Sequence, residues 1–150
     1  MTAANHVLAG SAIALAIHQP ALALPLAFAS HFVLDALPHF GYAPRGFAYA
    51  LRQRRFMVME VLDLVGLIIL VFTINFTVWT TFAAAVLAVS PDFEWLSRYF
   101  YFWHKGKPYV SSFFGKFHAK IQWCERPWGI YAEITFFIVG YFVVSRYLLH

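Results

Sequence analysis

Cysteine and charge are both scarce in this chain of 150 residues. Cys124 is the only cysteine, which excludes an internal disulfide and a cluster of thiolate metal ligands, so any metal must be held by histidine and carboxylate. Charged residues make up 12% of the chain, where a soluble domain carries about 25%. The segment from Met1 to Asn5 has neither Lys nor Arg, and the first apolar run passes into a second through His18-Gln19-Pro20. A cleaved signal peptide fits that pattern poorly, and the first helix is expected to stay in the mature protein. A Ser-centred nucleophile elbow and a glycine-rich phosphate loop are both missing.

What fills the chain is apolar. Hydrophobic residues account for 61% and aromatic residues for 20%, with a mean hydropathy of +0.65. A soluble chain this short has too little interior to hide that surface. We expect an all-α polytopic integral membrane protein with about five membrane helices. The expected helices span 6–17, 21–37, 57–76, 77–89 and 128–149, with an interfacial amphipathic helix over 110–123, all in one domain of residues 1–150. The first run is short against the ~20 residues that cross a bilayer, so tilting or half-embedding are both open. Ala23, Ala27, Ala29 and Ser30 are small enough for the first two helices to pack as a tight hairpin.

Charge suggests an orientation. Arg45, Arg52, Arg54 and Arg55 follow the second helix, and Arg98, Lys105, Lys107, Lys116, Lys120 and Arg126 follow the fourth. Two helices separate these loops, so they share a side, which the positive-inside rule makes cytoplasmic. The N-terminus is then inside. The pI near 9.4 reflects these loops and anionic lipid, with no sign of nucleic-acid binding. Residues Tyr99 to Trp103 read as an aromatic belt at the membrane interface, and His18, His104 and His150 as interfacial.

The acids and histidines collect at the same side. His6 opens the first helix, His31, Asp35 and His39 close the second, Glu60 and Asp63 open the third, and Asp92 closes the fourth. Ionisable groups at membrane depth are costly unless they pair, ligate or reach water, so such a cluster is a functional-site candidate by default. His31 and Asp35 stand four apart on one helix face and can reach a common ion. His39 follows where Pro38 breaks the helix, giving H-x3-D-x3-H. Imidazole with carboxylate suits zinc, manganese or iron(II), zinc being the usual choice of a hydrolase. The competing reading is a hydrogen-bonded pair that holds helices together.

Asp63 lies one turn deeper than Glu60 and is the better ligand candidate. Glu60 is left as an orienting residue, a general base, or an interfacial partner of Arg54 or Arg55. Asp92 after Pro91 also fits a solvated cap. His6, His31, Asp35, His39, Asp63 and Asp92 form the expected ligand set, with Glu60 or His118 as general base or acid. His118 and Gln122, four apart on the amphipathic segment, turn toward the site or toward solvent. A weak repeat pairs Leu37-Pro38-His39 with Ser90-Pro91-Asp92, and His6 before Gly10 with Asp63 before Gly66.

Taken together, Asn5-His6 with Gly10, Ser30-His31, Leu34-Asp35, Pro38-His39, Glu60 with Asp63, Pro91-Asp92, and His118 with Gln122 resemble the bacterial membrane-bound metal-dependent hydrolase family, which includes LexA-regulated members. Members are similar in an early His before a Gly and in a Leu-Pro-Asp-x-Asp-His motif closing the second helix. Here Leu34-Asp35-Ala36-Leu37-Pro38-His39 stands in its place. The His31–Asp35 segment is also similar to the zinc-binding helices of phospholipase C and nuclease-type enzymes. The resemblance implies a multi-pass protein of the bacterial inner membrane that hydrolyses a membrane lipid or lipid-like substrate, such as a lipid phosphoester, at the cytoplasmic leaflet. A divalent metal or proton transporter would use the same buried His and Asp residues, but the apolar outer halves around Ile68 to Val71 and Phe136 to Val139 point to a one-sided site. A purely structural polar cluster is the third reading.

Overall fold

A computed structural model of the protein describes residues 1–42, 47–74, 76–94, 96–97, 100 and 112–148. The expectations placed on Arg45, Arg98, Tyr99, Tyr101 to Trp103, His104, Lys105, Lys107 and His150, and on the start of the amphipathic helix at 110–111, lie outside the described residues. The fold is mostly helical. Helix α1 (Ala3–Ala16) turns through His18 into α2 (Pro20–Ala36), and a short strand β1 (His39–Phe40) follows. Next come a single turn α3 (Phe47–Ala50), the long α4 (Arg54–Thr73) and α5 (Trp79–Val89), which runs into a 3-10 turn at Ser90–Phe93. The amphipathic α6 (Phe113–Ile121), a second short strand β2 (Glu125–Arg126) and α7 (Ile130–Leu148) complete it. The strands pair in parallel, His39 opposite Glu125 and Phe40 opposite Arg126.

Helix α1 is the hub, packing against α2, α4, α5 and α7. Its small residues allow this: a Cβ on Gly10 would sit 2.5 Å from the Ala84 carbonyl oxygen and 2.8 Å from the Ala88 Cβ, so α1 and α5 meet nearly backbone to backbone. On its other side Leu8 joins Leu70, Ile74 and Val144 in the main apolar core. We expect Gly10→Val to push α1 from α5, costing about 1–3 kcal/mol by overpacking and lowering the thermal aggregation midpoint in detergent. An unchanged midpoint would mean that the α1–α5 contact is slack.

Among the described residues, two helices are long and apolar enough to cross a membrane, Arg54–Thr73 at mean hydropathy 2.3 and Pro127–Tyr147 at 1.5. Only 17% of each is buried inside the protein, and Val58, Val61, Leu64, Ile68, Val71 and Phe72 stand exposed along α4. Helices α1, α2 and α5 have 14, 17 and 11 residues, less than the ~20 of a full span. Several ends differ from expectation by about a turn. Helix α1 begins at Ala3 rather than at residue 6, and α4 covers 54–73 rather than 57–76. In both cases the three residues ahead of the expected start, Ala3 to Asn5 and Arg54 to Phe56, form the first turn.

Candidate metal centre

Four chain segments meet in one place. Asp35 and His31 come from the last turns of α2, Asp92 from the turn after α5, His118 from α6 and His6 from the first turns of α1. His31, Asp35, Asp92 and His118 offer ligand atoms that all lie within 4.8 Å of one another. The Asp35 carboxylate is at the centre and fully buried. Its Oδ2 accepts from His118 Nε2 at 2.6 Å and from Gln122 Nε2 at 3.0 Å, and His31 Nε2 lies 3.3 Å away. Its Oδ1 takes the Met1 amino group.

The histidines are set as ligands are set. His31 Nδ1 donates to the Ala88 carbonyl at 2.7 Å, which fixes the tautomer and turns the Nε2 lone pair inward, as a backbone carbonyl does behind a metal-bound imidazole. That Nε2 is 3.0 Å from His118 Nε2 and 3.7 Å from Asp92 Oδ1. The His31 lone pair and the carboxylate oxygens thus face one another across a buried space, with His118 placing a proton on Asp35. Protons or a cation must separate them.

His6 adds to this. Its ring stacks on that of His31 at 4.0 Å between centroids and is fully buried. Nε2 lies 3.2 Å from Asp35 Oδ1 and 3.8 Å from Asp92 Oδ2, an ionic pairing when the ring is protonated, while Nδ1 has no hydrogen-bond partner. A buried imidazole beside two carboxylates can share either a proton or a cation with them. Burial pushes the Asp92 carboxyl upward from its ordinary range, against the pull of the nearby N-terminal ammonium and His31.

The remaining expected residues fall elsewhere. His39 is buried, but its Nδ1 donates to the Leu37 carbonyl at 2.8 Å and it is not one of the four convergent ligands. Burial, then repulsion from the N-terminal ammonium, holds its imidazole below the usual range. Asp63 accepts from the Ala3 and Ala4 amides at 3.0 and 2.7 Å, so it caps the start of α1, where a carboxylate also meets the positive end of the helix dipole. Glu60 is exposed on α4 and is not one of the four convergent residues. His118, expected as acid or base, stands in the convergent group.

The sequence reading passed over Glu133. This residue is 2% exposed. Its Oε2 accepts from the Thr2 amide (3.1 Å), the Thr2 hydroxyl (3.0 Å) and Asn5 Nδ2 (2.7 Å), and its Oε1 from the Phe40 amide (3.3 Å). It ties α7 to α1 and β1 behind the site. It is the one acid in the apolar run from Trp128 to Leu149, and that isolation is a signal in its own right.

No family model, curated protein or solved structure matches the chain.

Proposed function

We propose that this protein is a membrane-embedded metal-dependent hydrolase acting on an amphiphilic substrate, a lipid phosphoester by preference, at the cytoplasmic leaflet of a bacterial inner membrane. The observation that carries the reading is the convergence of His31, Asp35, Asp92 and His118 within 4.8 Å, with the buried His6 beside Asp35. Two to three imidazoles and two carboxylates suit zinc, and manganese or iron(II) next. When bound, such an ion polarises a phosphoryl or acyl group and acidifies water to a pKa of ~7. The chain's own part is to hold that ion off-centre at one end of the bundle, with Gln122 bonded to Asp35 and His118 so that both keep their aim.

The membrane side of the proposal is a multi-pass chain of about five helices, the short ones tilted or half-embedded, with the N-terminus inside. The two long apolar helices and the bare apolar faces of α4 support it. Arg52, Arg54, Arg55, Lys116, Lys120 and Arg126 flank the helix ends that carry the cluster, as the positive-inside rule asks. The resemblance to bacterial membrane-bound metal-dependent hydrolases rests on residues that include His6, His31, Asp35, Asp92 and His118, and it motivates the choice of hydrolysis.

The hydrogen bonds of His118 and Gln122 to Asp35 favour a second reading, a protein-only polar network that fastens helix ends. One experiment separates the two. Detergent-purified protein is analysed for metals and then assayed on lipid phosphoesters with and without chelator. Near one equivalent of zinc, manganese or iron per chain, with hydrolysis that chelator stops and metal restores, is the expected result. Absence of metal even after incubation with all three ions would overturn the hydrolase reading and leave the polar network.

A further inference from the structure

Helix α6 has two unlike faces. Toward the bundle it presents Gly115 and His118, both buried, and just past its end Gln122. Gly115 leaves no room for a Cβ beside the Glu94 carboxylate, and His118 and Gln122 both bond Asp35. Phe117 adds an edge-on contact with the Phe32 ring at 5.7 Å between centroids. The grip on the bundle is narrow, and its buried part is polar.

The other face points away from the protein. Phe113, Lys116, Phe117 and Lys120 stand at i, i+3, i+4 and i+7, one side of a helix, and Trp123 follows just after the helix end. All five are exposed, Phe113 by 88%, Trp123 by 67% and Phe117 by 47%. No Asp or Glu occurs from residue 113 to 124. The flanking acids in sequence are engaged elsewhere: Glu94 lies against Gly115 on the inner side, and Glu125 Oε1 accepts from the Tyr42 amide at 2.6 Å. The outer face is therefore aromatic and cationic.

The chain path says what covers it. Residues 122–126 alone separate α6 from Pro127, where the apolar span Pro127–Tyr147 begins. A link of that length reaches about 20 Å at most, and Glu125 and Arg126 are pinned by pairing with β1. If α7 crosses a membrane, α6 is held beside the surface that α7 enters. Aromatic rings and lysine stems on one face suit a helix lying in an anionic interface, with the rings at the acyl boundary and the ammonium groups on lipid phosphates.

We propose that the outer face of α6 docks on the anionic phospholipid headgroups around α7, and that this docking seats His118 and Gln122 on Asp35, so that lipid charge governs completion of the metal centre. The docking rests on the membrane reading above, and its link to the metal rests on the metal-centre reading. Both faces belong to one nine-residue helix, so a contact made only in the seated position shifts α6 toward that position.

The test places the full chain in nanodiscs of phosphatidylcholine, or of an equal mixture of phosphatidylcholine and phosphatidylglycerol. Amide hydrogen exchange over 113–121 is expected to slow at least about fivefold in the mixed discs, the factor that one lysine near an anionic surface supports, and high salt should erase the difference. Lys116→Gln with Lys120→Gln, which removes two exposed ammonium groups and no ligand, should exchange alike in both discs. Zinc affinity of the wild type should also be at least about fivefold tighter in the mixed discs, and that of the double variant equal in both. Anionic lipid gathers zinc around the variant as well, so an affinity gain that survives in it would overturn the coupling. Equal wild-type exchange in the two discs would overturn the docking. Should the variant fail to fold, the salt series on the wild type decides. A protein that takes no zinc in either disc would overturn the metal-centre reading and the coupling with it, while the exchange data still decide the docking.

Discussion

Asp35→Asn is expected to empty the metal centre, taking the ion content from near one equivalent per chain to background. The side chain keeps its size and one acceptor oxygen but loses the charge that His118, Gln122 and the Met1 amino group all address. Breaking a buried ionic group this way costs about 3–5 kcal/mol, so the variant will also be less stable. For that reason His118→Ala belongs beside it. His118 comes from α6, which touches the bundle mainly through α2, so its loss removes a ligand and leaves the α1–α2–α5 packing in place. Gln122→Leu, which removes only the group that orients two ligands, should weaken metal binding about 10–100-fold. Metal content by elemental analysis and folding by circular dichroism are measured on the same samples. Wild-type ion content in folded Asp35→Asn and His118→Ala would place any metal elsewhere and sink the centre described here.

That centre was half legible in the sequence, and the division has physical reasons. His31 and Asp35 could be paired because helical spacing fixes side-chain faces within one element. Asp92 and His6 could be added because both sit at helix ends that share a side. Asp63 and Glu60 satisfied the same rules and went elsewhere. What decided their fate was how the start of α4 docks on the start of α1, and helical spacing carries no information about that docking. The Ala3 and Ala4 amides had to be satisfied by something, and Asp63 was within reach. His39 was separated from the convergent four by the strand pairing with Glu125 and Arg126, a contact between residues far apart in the chain. The helical content itself followed from composition, while the ends shifted by a turn because an apolar count begins at the first apolar residue and a helix begins at its cap.

Glu133→Ala should be the most destabilising substitution outside the ligand group. The carboxylate receives four donors, two from Thr2 and one each from Asn5 and Phe40, and methyl replacement strands the buried ones at about 1–3 kcal/mol each. Thr2 can turn its hydroxyl away, but the Phe40 amide and Asn5 Nδ2 are held by backbone and packing. Glu133→Gln is the informative comparison. Every partner of the carboxylate is a donor, so the new amide nitrogen must face one of them, and the least costly choice sets it against the single Phe40 amide. The thermal aggregation midpoint is therefore expected to fall from wild type to Gln and further to Ala. Metal affinity should fall in the same order, because Thr2 and Asn5 anchor the turn of α1 that aims His6 at Asp35 and Asp92. If instead Glu133→Ala lowered the midpoint while leaving metal affinity at the wild-type value, the first turn of α1 would be dispensable to the centre and His6 would drop out of it.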